Sequence, residues 1–247
     1  VEREYAAYYR HLYENHWWWR ARERIILGHL ERLKPVGGFG PILDVGCGDG
    51  LFFEKLAAFG DPEGVEEDGS LVTAAGRGRG PIHVGPFDDS FRPGRRYALI
   101  LLLDVLEHFH DDRACLRRAL DLLAPGGTIV ITVPAFRILW TAHDDVNRHA
   151  RRYTKATLRR LADDAGLRVD HAEYLFQWTA LVKLAVRAKE SLWRADPALP
   201  PVPGRLVNGA LRTAALAEHA LFHRLPLPFG SSLLAMGGVA GPRLREP

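Results

Sequence analysis

Residues 42–50, Ile-Leu-Asp-Val-Gly-Cys-Gly-Asp-Gly, set an aliphatic run directly against three glycines at alternate positions. Glycine tolerates positive φ and a close ligand, and a helix that follows such a turn begins with unpaired N–H groups. A bound cofactor could lie directly on the turn, although glycines also serve tight turns that hold nothing. The spacing Gly-x-Gly-x-Gly differs from the Gly-x-Gly-x-x-Gly of dinucleotide-binding sites, which counts against a dehydrogenase. One strand–helix–strand step onward, Gly64-Val65-Glu66 ends in an acid. A carboxylate there can accept hydrogen bonds from both hydroxyls of a nucleoside ribose. Glu67 and Asp68 follow it, so the competing reading is a run of solvated loop acids.

A second group of reactive side chains lies further along. Residues 134–152 contain His143, Asp144, Asp145, Asn147, Arg148, His149, Arg151 and Arg152, a dense set of donors suited to a phosphate, diphosphate or carboxylate. Loop arginines are also commonly solvated. Trp17, Trp18, Trp19, Phe136, Trp140, Tyr174, Phe176 and Trp178 gather in the same loop and in the helical segments at either end of the chain. Large aromatics mostly build cores, yet three consecutive tryptophans on one helix cannot all face one core. A basic rim with aromatic walls suits an acceptor that is anionic and partly apolar.

The elements that must position these groups follow from hydrophobic patterning. Strands are expected at 41–45, 63–66, 82–85, 97–103, 128–133 and 167–175, with a last strand at 231–240. Helices are expected at 50–59, 70–75, 111–123 and 154–165. This alternation is that of an α/β fold, a doubly wound sheet covered on both faces. A helical extension occupies 2–33, and two apolar helical segments at 178–194 and 205–224 form an insertion before the last strand. The expected organisation is one domain with an N-terminal cap (1–38), a core (39–176), an insertion (177–230) and a final strand with tail (231–247).

Composition narrows the function classes. The 247 residues, 47% hydrophobic, are enough for one elaborated domain. Cys47 and Cys115 are the two cysteines, so neither a disulfide framework nor a cysteine metal cage is expected, and a reducing cytoplasm fits. Apolar runs stay short of the roughly 20 residues that span a bilayer, and the first residues lack a signal-peptide core, so a soluble protein is expected. A formal charge of +3 is too diffuse for a nucleic-acid binder. It leaves a mild bias toward anionic partners.

Residues 43–50, Gly64-Val65-Glu66, Asp104-Val105-Leu106-Glu107-His108 and Leu123-Ala124-Pro125-Gly126-Gly127 resemble, in order and spacing, the successive motifs of class I S-adenosylmethionine (SAM)-dependent methyltransferases. The resemblance implies a seven-stranded Rossmann-like sheet with a reversed final hairpin, and SAM as cofactor with S-adenosylhomocysteine as product. It implies that Asp44, with the turn of Gly46, Cys47, Gly48 and Gly50, borders the methionine portion. Glu66 would bind the ribose, Phe87 and Asp88 would lie near adenine, and Leu103 and Asp104 would flank the transferable methyl. Residues 14–20 and 151–154 are similar to a bacterial branch linked to lipid, sugar and natural-product pathways.

Methyl transfer is an in-line displacement, so the protein must align acceptor and methyl and exclude water. The acceptor pocket is expected over the carboxyl ends of the strands, lined by Trp17, Trp18, Arg20, Trp140, Arg148, His149, Arg151, Arg152, Tyr153 and Trp178. For an oxygen or nitrogen acceptor, His16, His108, His143 or His149 could take the proton. For an alkene carbon, as in a prenyl diphosphate, aromatic faces could stabilise a carbocation while Glu14 or a histidine removes the proton. No metal is assigned, with Asp104, Glu107 and His108 as the alternative ligand set. The readings from other classes are a non-catalytic SAM-binding scaffold and a peripheral membrane protein. The second draws on Lys183, Arg187, Lys189, Arg194, Arg205 and Arg212 interspersed in the apolar insertion, although a substrate-covering cap explains the same pattern.

Overall fold

Residues 97–103, Tyr-Ala-Leu-Ile-Leu-Leu-Leu, offer no polar face to solvent, so a strand made from them must run through the middle of a sheet covered on both sides. The computed structural model, which describes residues 2–192, 201–223, 225 and 227–239, puts it there. Seven strands, β1 (Pro41–Val45), β2 (Asp61–Glu66), β3 (Ile82–Val84), β4 (Tyr97–Leu103), β5 (Leu123–Pro134), β6 (Leu167–Leu175) and β7 (Ser232–Val239), form one sheet in the order β3-β2-β1-β4-β5-β7-β6. β7 runs antiparallel to both of its neighbours, with Ala235 opposite Ile131 on one side and Ala172 on the other. The pairs among β1 to β5 are parallel. The fold is therefore the Rossmann-like sheet with a reversed last strand.

Alternation along the strands divides the core in two. Leu43, Ile100, Leu102, Ile129 and Ile131 face Cys115 and Leu116 of α5 (Asp112–Leu122) and Leu158 and Ala162 of α7 (Lys155–Ala165). Ile42, Leu99, Leu101, Val130 and Met236 face Ala21, Ile25, Ile26 and Leu30 of α2 (Trp17–Leu33). The same layer takes Phe53 and Leu56 of the short α3 (Phe53–Leu56). The N-terminal extension is thus part of the core. It breaks into α1 (Glu2–Asn15) and α2 because the ring of His16 turns back to accept a hydrogen bond from the Trp18 N–H at 3.2 Å.

Local interactions move several element boundaries from their expected places. Gly50 has φ +65°, so no helix can start before it, and the carbonyls of Ala58 and Phe59 are taken by Lys34 and the Phe39 N–H. The helix expected over 50–59 shrinks to α3. Thr73 caps the following helix through Gly76 N–H, so the expected 70–75 becomes α4 (Ala74–Arg79). The strand expected over 128–133 begins earlier, at Leu123, which pairs with Tyr97, and Pro125-Gly126-Gly127 is an irregularity inside it. α6 (Ala142–Val146) lies in the loop after β5, and the insertion holds α8 (Gln177–Leu192) and α9 (Arg205–Phe222). Arg194, most of the linker between these helices, and Ala240 with the tail lie outside the described residues.

β2 packs on the glycine turn without a gap: a Cβ built on Gly64 would stand 2.3 Å from Cys47 Sγ and 2.8 Å from the Phe53 ring. Gly64→Ala is expected to cost about 1–3 kcal/mol through forced displacement of these groups, read as a lower urea midpoint. An unchanged midpoint would contradict this close approach.

Candidate active site

β1 and β2 deliver Asp44 and Glu66 to the carboxyl edge of the sheet, and the glycine turn folds back over them. Gly46, Gly48 and Gly50 have φ of 69°, 54° and 65°. These values let the Gly46 N–H reach the Val65 carbonyl at 2.8 Å and leave the open side of Gly48 free of any neighbour. Glu66 is buried and accepts from Gly48 N–H at 2.8 Å on one oxygen and from Asp68 N–H at 2.9 Å on the other. Each oxygen keeps a second acceptor site. Burial raises the Glu66 carboxyl above its ordinary range and pushes Asp44 up to about 7, although the neighbouring Arg22 pulls Asp44 down.

A cavity of about 140 Å³ opens over this edge. Its core side is made by Asp44, Gly46, Gly48, Glu66, Leu71 and Leu103, and its cover by Tyr9, Arg10, Tyr13, Trp19 and Arg22 of α1 and α2. The cover is fastened by charge. Arg10 pairs with Asp49, which also accepts from Arg79 at 2.9 Å and from the N–H and hydroxyl of Thr73, each at 2.8 Å. Burial opposes ionisation of Asp49, but these donors hold its carboxyl below the usual range. Glu23 accepts from Tyr13 at 2.6 Å and from Lys55 at 2.5 Å, which ties α1 and α2 to α3. Arg22 reaches Asp104 at 2.8 Å and Thr132 at 3.0 Å, with its guanidinium over the Trp18 ring.

Arg22 and Arg10 are absent from the sequence-derived site, and Trp19 enters it only as one of the aromatic residues. The available signal was an arginine within an apolar helical stripe, four residues from both Trp18 and Ile26. A cation in such a stripe needs a buried anion.

Past Arg22 the chain leaves β4 through Asp104, whose φ is +57°, a strained conformation for a residue with a side chain. The following turn brings Glu107 and His108 to His149, with one ligand atom from each within 4.8 Å of the others. Glu107 is fully buried and neither carboxylate oxygen has a hydrogen-bond partner among the described residues. Burial and the nearby Asp104 push its carboxyl well up. His108 lies edge to face with His149 at 4.9 Å, and burial followed by the charge of His149 lowers it. His149 Nδ1 is 2.9 Å from Asp144. The donor set of Glu107, His108 and His149 could take a metal ion, whereas Asp104 of the alternative ligand set is engaged by Arg22.

Several expected rim residues have internal partners instead. Arg152 is buried and forks onto Asp144 at 2.8 and 2.9 Å, so its charge is spent within the protein. Arg151 pairs with Asp112 at 2.7 Å, and the buried Tyr153 donates to the same carboxylate at 2.8 Å. Trp17 stacks on Trp178 at 5.2 Å within the core, and Trp140 donates to Asp145 at 2.9 Å. Trp18 leans on Phe176 at 5.8 Å. Arg148 is exposed at φ +54°, and Arg20 is half-buried. Glu14 is exposed and His16 is the helix cap; neither lines the cavity. His143, lowered to about 4 by burial and the nearby Lys183, sits against Asn147. Phe87 and Asp88, expected beside adenine, do not line the cavity either: Phe87 packs on Phe91 in the core and the exposed Asp88 closes its own turn onto Ser90.

Comparison with known proteins bears on this geometry. A family model described as a methyltransferase domain matches residues 17–172. The chain is 30% identical over 159 residues to the ubiquinone biosynthesis O-methyltransferase of Azorhizobium caulinodans, a match covering 61% of this chain and 53% of that protein. The chain thus spans about half the length of that curated relative. Among solved structures, a SAM-dependent methyltransferase from Archaeoglobus fulgidus superposes with a TM-score of 0.55 at 15% identity, over 87% of this chain and 93% of that one. A Haemonchus contortus phosphoethanolamine N-methyltransferase 2 in complex with SAM gives 0.56 at 15% identity, over 86% of this chain and 51% of that one. At these identities the structural likeness is one of fold.

The Asp144–Arg152 pair yields a prediction about the two adjacent arginines. Arg152→Ala leaves a buried carboxylate without its fork and is expected to cost about 3–5 kcal/mol, while Arg151→Ala, at a partly exposed pair, is expected to cost about 1 kcal/mol or less. Urea denaturation compares them, and equal midpoints for the two variants would contradict the structural role of Arg152.

Proposed function

The chain belongs to the methyltransferase domain family with the class I SAM-dependent fold, and on that premise we propose that it transfers a methyl group from SAM to an oxygen of a small acceptor, with His149 taking the proton. The observation that carries this reading is the His149–Asp144 pair beside Glu107 and His108, one turn beyond the end of β4. With Nδ1 committed to Asp144, Nε2 is the basic atom of the imidazole.

The cavity suits the cofactor. Glu66 retains acceptor capacity for two ribose hydroxyls, Asp44 offers a carboxylate to an ammonium group, and the open side of Gly48 admits a close ligand. SAM supplies a methyl bonded to positive sulfur, open to in-line attack. Held by Glu66, Asp44 and the Gly48 turn, SAM would offer that methyl to the acceptor oxygen, and His149 would take the acceptor proton at Nε2. Tyr9, Tyr13 and Trp19 of the cover exclude water.

Arg151 and Arg152 are engaged by Asp112 and Asp144, which leaves little for a diphosphate clamp and favours an ionisable hydroxyl on a partly apolar molecule. Lys183, lowered to about 8 by burial and by Arg152, supports an acceptor that becomes anionic on losing its proton. The name of the Azorhizobium caulinodans relative is consistent with oxygen as the acceptor atom. Exposed Leu181, Val182, Leu206 and Val207 on α8 and α9 favour delivery of such a molecule from a lipid surface, although among the described residues no helix is long and apolar enough to cross a membrane.

Calorimetry with SAM and turnover on a panel of phenolic acceptors test this assignment. Glu66→Ala is expected to weaken SAM binding by about tenfold or more, the equivalent of about 1.4 kcal/mol. His149→Ala is expected to leave SAM affinity within about twofold while kcat falls by about 100-fold or more. Wild-type kcat in His149→Ala would overturn its role as the proton acceptor.

A further inference from the structure

On the sheet face covered by α2 and α9, β6 buries Glu173 opposite Leu234, on the layer whose apolar core includes Leu30 and Leu175. A carboxylate in that layer needs a cation, and the side chains around it are histidines from three elements. His29 of α2 brings Nε2 to 2.6 Å from one carboxylate oxygen of Glu173, and His171 of β6 brings its Nε2 to 3.3 Å from the same oxygen. His219 of α9 holds Nδ1 at 4.0 Å from the other. The His29 ring centre is 5.4 Å from that of His171 and 5.9 Å from that of His219.

These groups meet as close ion-pair contacts. His29 Nε2, His171 Nε2 and the shared Glu173 oxygen are all buried, and none has a well-aligned hydrogen-bond partner among the described residues. His29 itself is 5% exposed. The ligand atoms of His29, Glu173 and His219 lie within 4.8 Å of one another. Imidazole nitrogens and a carboxylate oxygen are ligands of zinc, and about 3.3 Å separates neighbouring donors around a tetrahedral ion.

We propose that His29, His171, Glu173 and His219 form a structural site for a transition-metal dication such as Zn²⁺, which fastens the N-terminal helix α2 and the insertion helix α9 to the edge strand β6. His29, Glu173 and His219 supply three converging ligand atoms, and His171, with Nε2 3.3 Å from the shared oxygen, is placed to complete a four-ligand sphere of the kind found in structural zinc sites. His29 is two helical turns, about 10 Å, beyond Arg22 on α2, so the site is separate from the cofactor cavity. The other end of α9 is already anchored: Asn208 accepts from the Trp17 N–H at 2.8 Å and donates to the Asn15 carbonyl at 2.6 Å. A metal at His219 fixes the second end and so holds the helix that presents Trp19 and Arg22 to the cavity.

The test is titration of chelator-treated full-length chain with Co²⁺, followed by displacement with Zn²⁺ and thermal melts with and without Zn²⁺. Expected are the visible absorption of a tetrahedral Co²⁺ ion, saturating at one equivalent, and a melting temperature raised by several degrees with Zn²⁺. Both are expected to be lost in Glu173→Gln and in the less buried His219→Gln, whose folding is checked by circular dichroism, and kept in His149→Ala. The proposal is overturned if the wild-type chain gives neither signal, if His219→Gln and Glu173→Gln retain both, or if His149→Ala abolishes them.

Discussion

The carboxyl edge of the sheet in this protein concentrates negative charge. Asp44, Asp49, Glu66 and Asp104 arrive there from the ends of β1, β2 and β4 and from the glycine turn, and three of them are buried. Carboxylates held so close and so dry must protonate or be paired. The N-terminal helices supply the pairing, with Arg10 at Asp49 and Arg22 at Asp104, while Lys55 neutralises Glu23 on the cover itself. The position of α1 and α2 over the cavity therefore follows from electrostatics as much as from the apolar face of α2. Among the described residues no cation pairs with Asp44 or Glu66, although Arg22 pulls on Asp44, and both are raised by burial. A cationic ligand with an ammonium group and a sulfonium centre would complete this balance of charge.

The same requirement explains why so many charged residues of the 142–152 region are structural. Asp144 is fully buried and gathers Arg152, His149 and the Thr141 N–H around itself. That constellation fixes the loop and turns the His149 ring toward His108 and Glu107. An arginine engaged in this way cannot also clamp a diphosphate. The arginine-rich composition of the loop thus marks the support of the site more than its contact with an acceptor.

Much of the sheet is legible in the sequence because strand patterning and glycine punctuation are local. β1, β4 and β6 lie where Pro41–Val45, Tyr97–Leu103 and Leu167–Leu175 predict them, and Thr154 and Gly166 bound α7 as cap and stop. Boundaries shift where a distant partner intervenes, as when Tyr97 recruits Leu123 into β5 or Lys34 and Phe39 close the end of α3. The turn residues and Glu66 could be singled out because motif and strand end coincide. Arg10 and Arg22 could not be singled out in that way, and Trp19 stood out only as one of three consecutive tryptophans, since their roles depend on α1 and α2 folding back across a sheet that begins at Pro41. His29, Glu173 and His219 meet only through tertiary packing, so no spacing in the sequence announces them.

The most direct test of the charge account is calorimetric titration with SAM near neutral pH in two buffers of different ionisation enthalpy. Asp44, pushed up to about 7, is partly protonated in the free protein. A docked ammonium lowers it again, so binding releases protons and affinity rises with pH through about 7 before levelling off. The predicted result is binding with an apparent enthalpy that depends on the buffer. Absence of binding, or a buffer-independent enthalpy with an affinity flat across that range, would contradict the account.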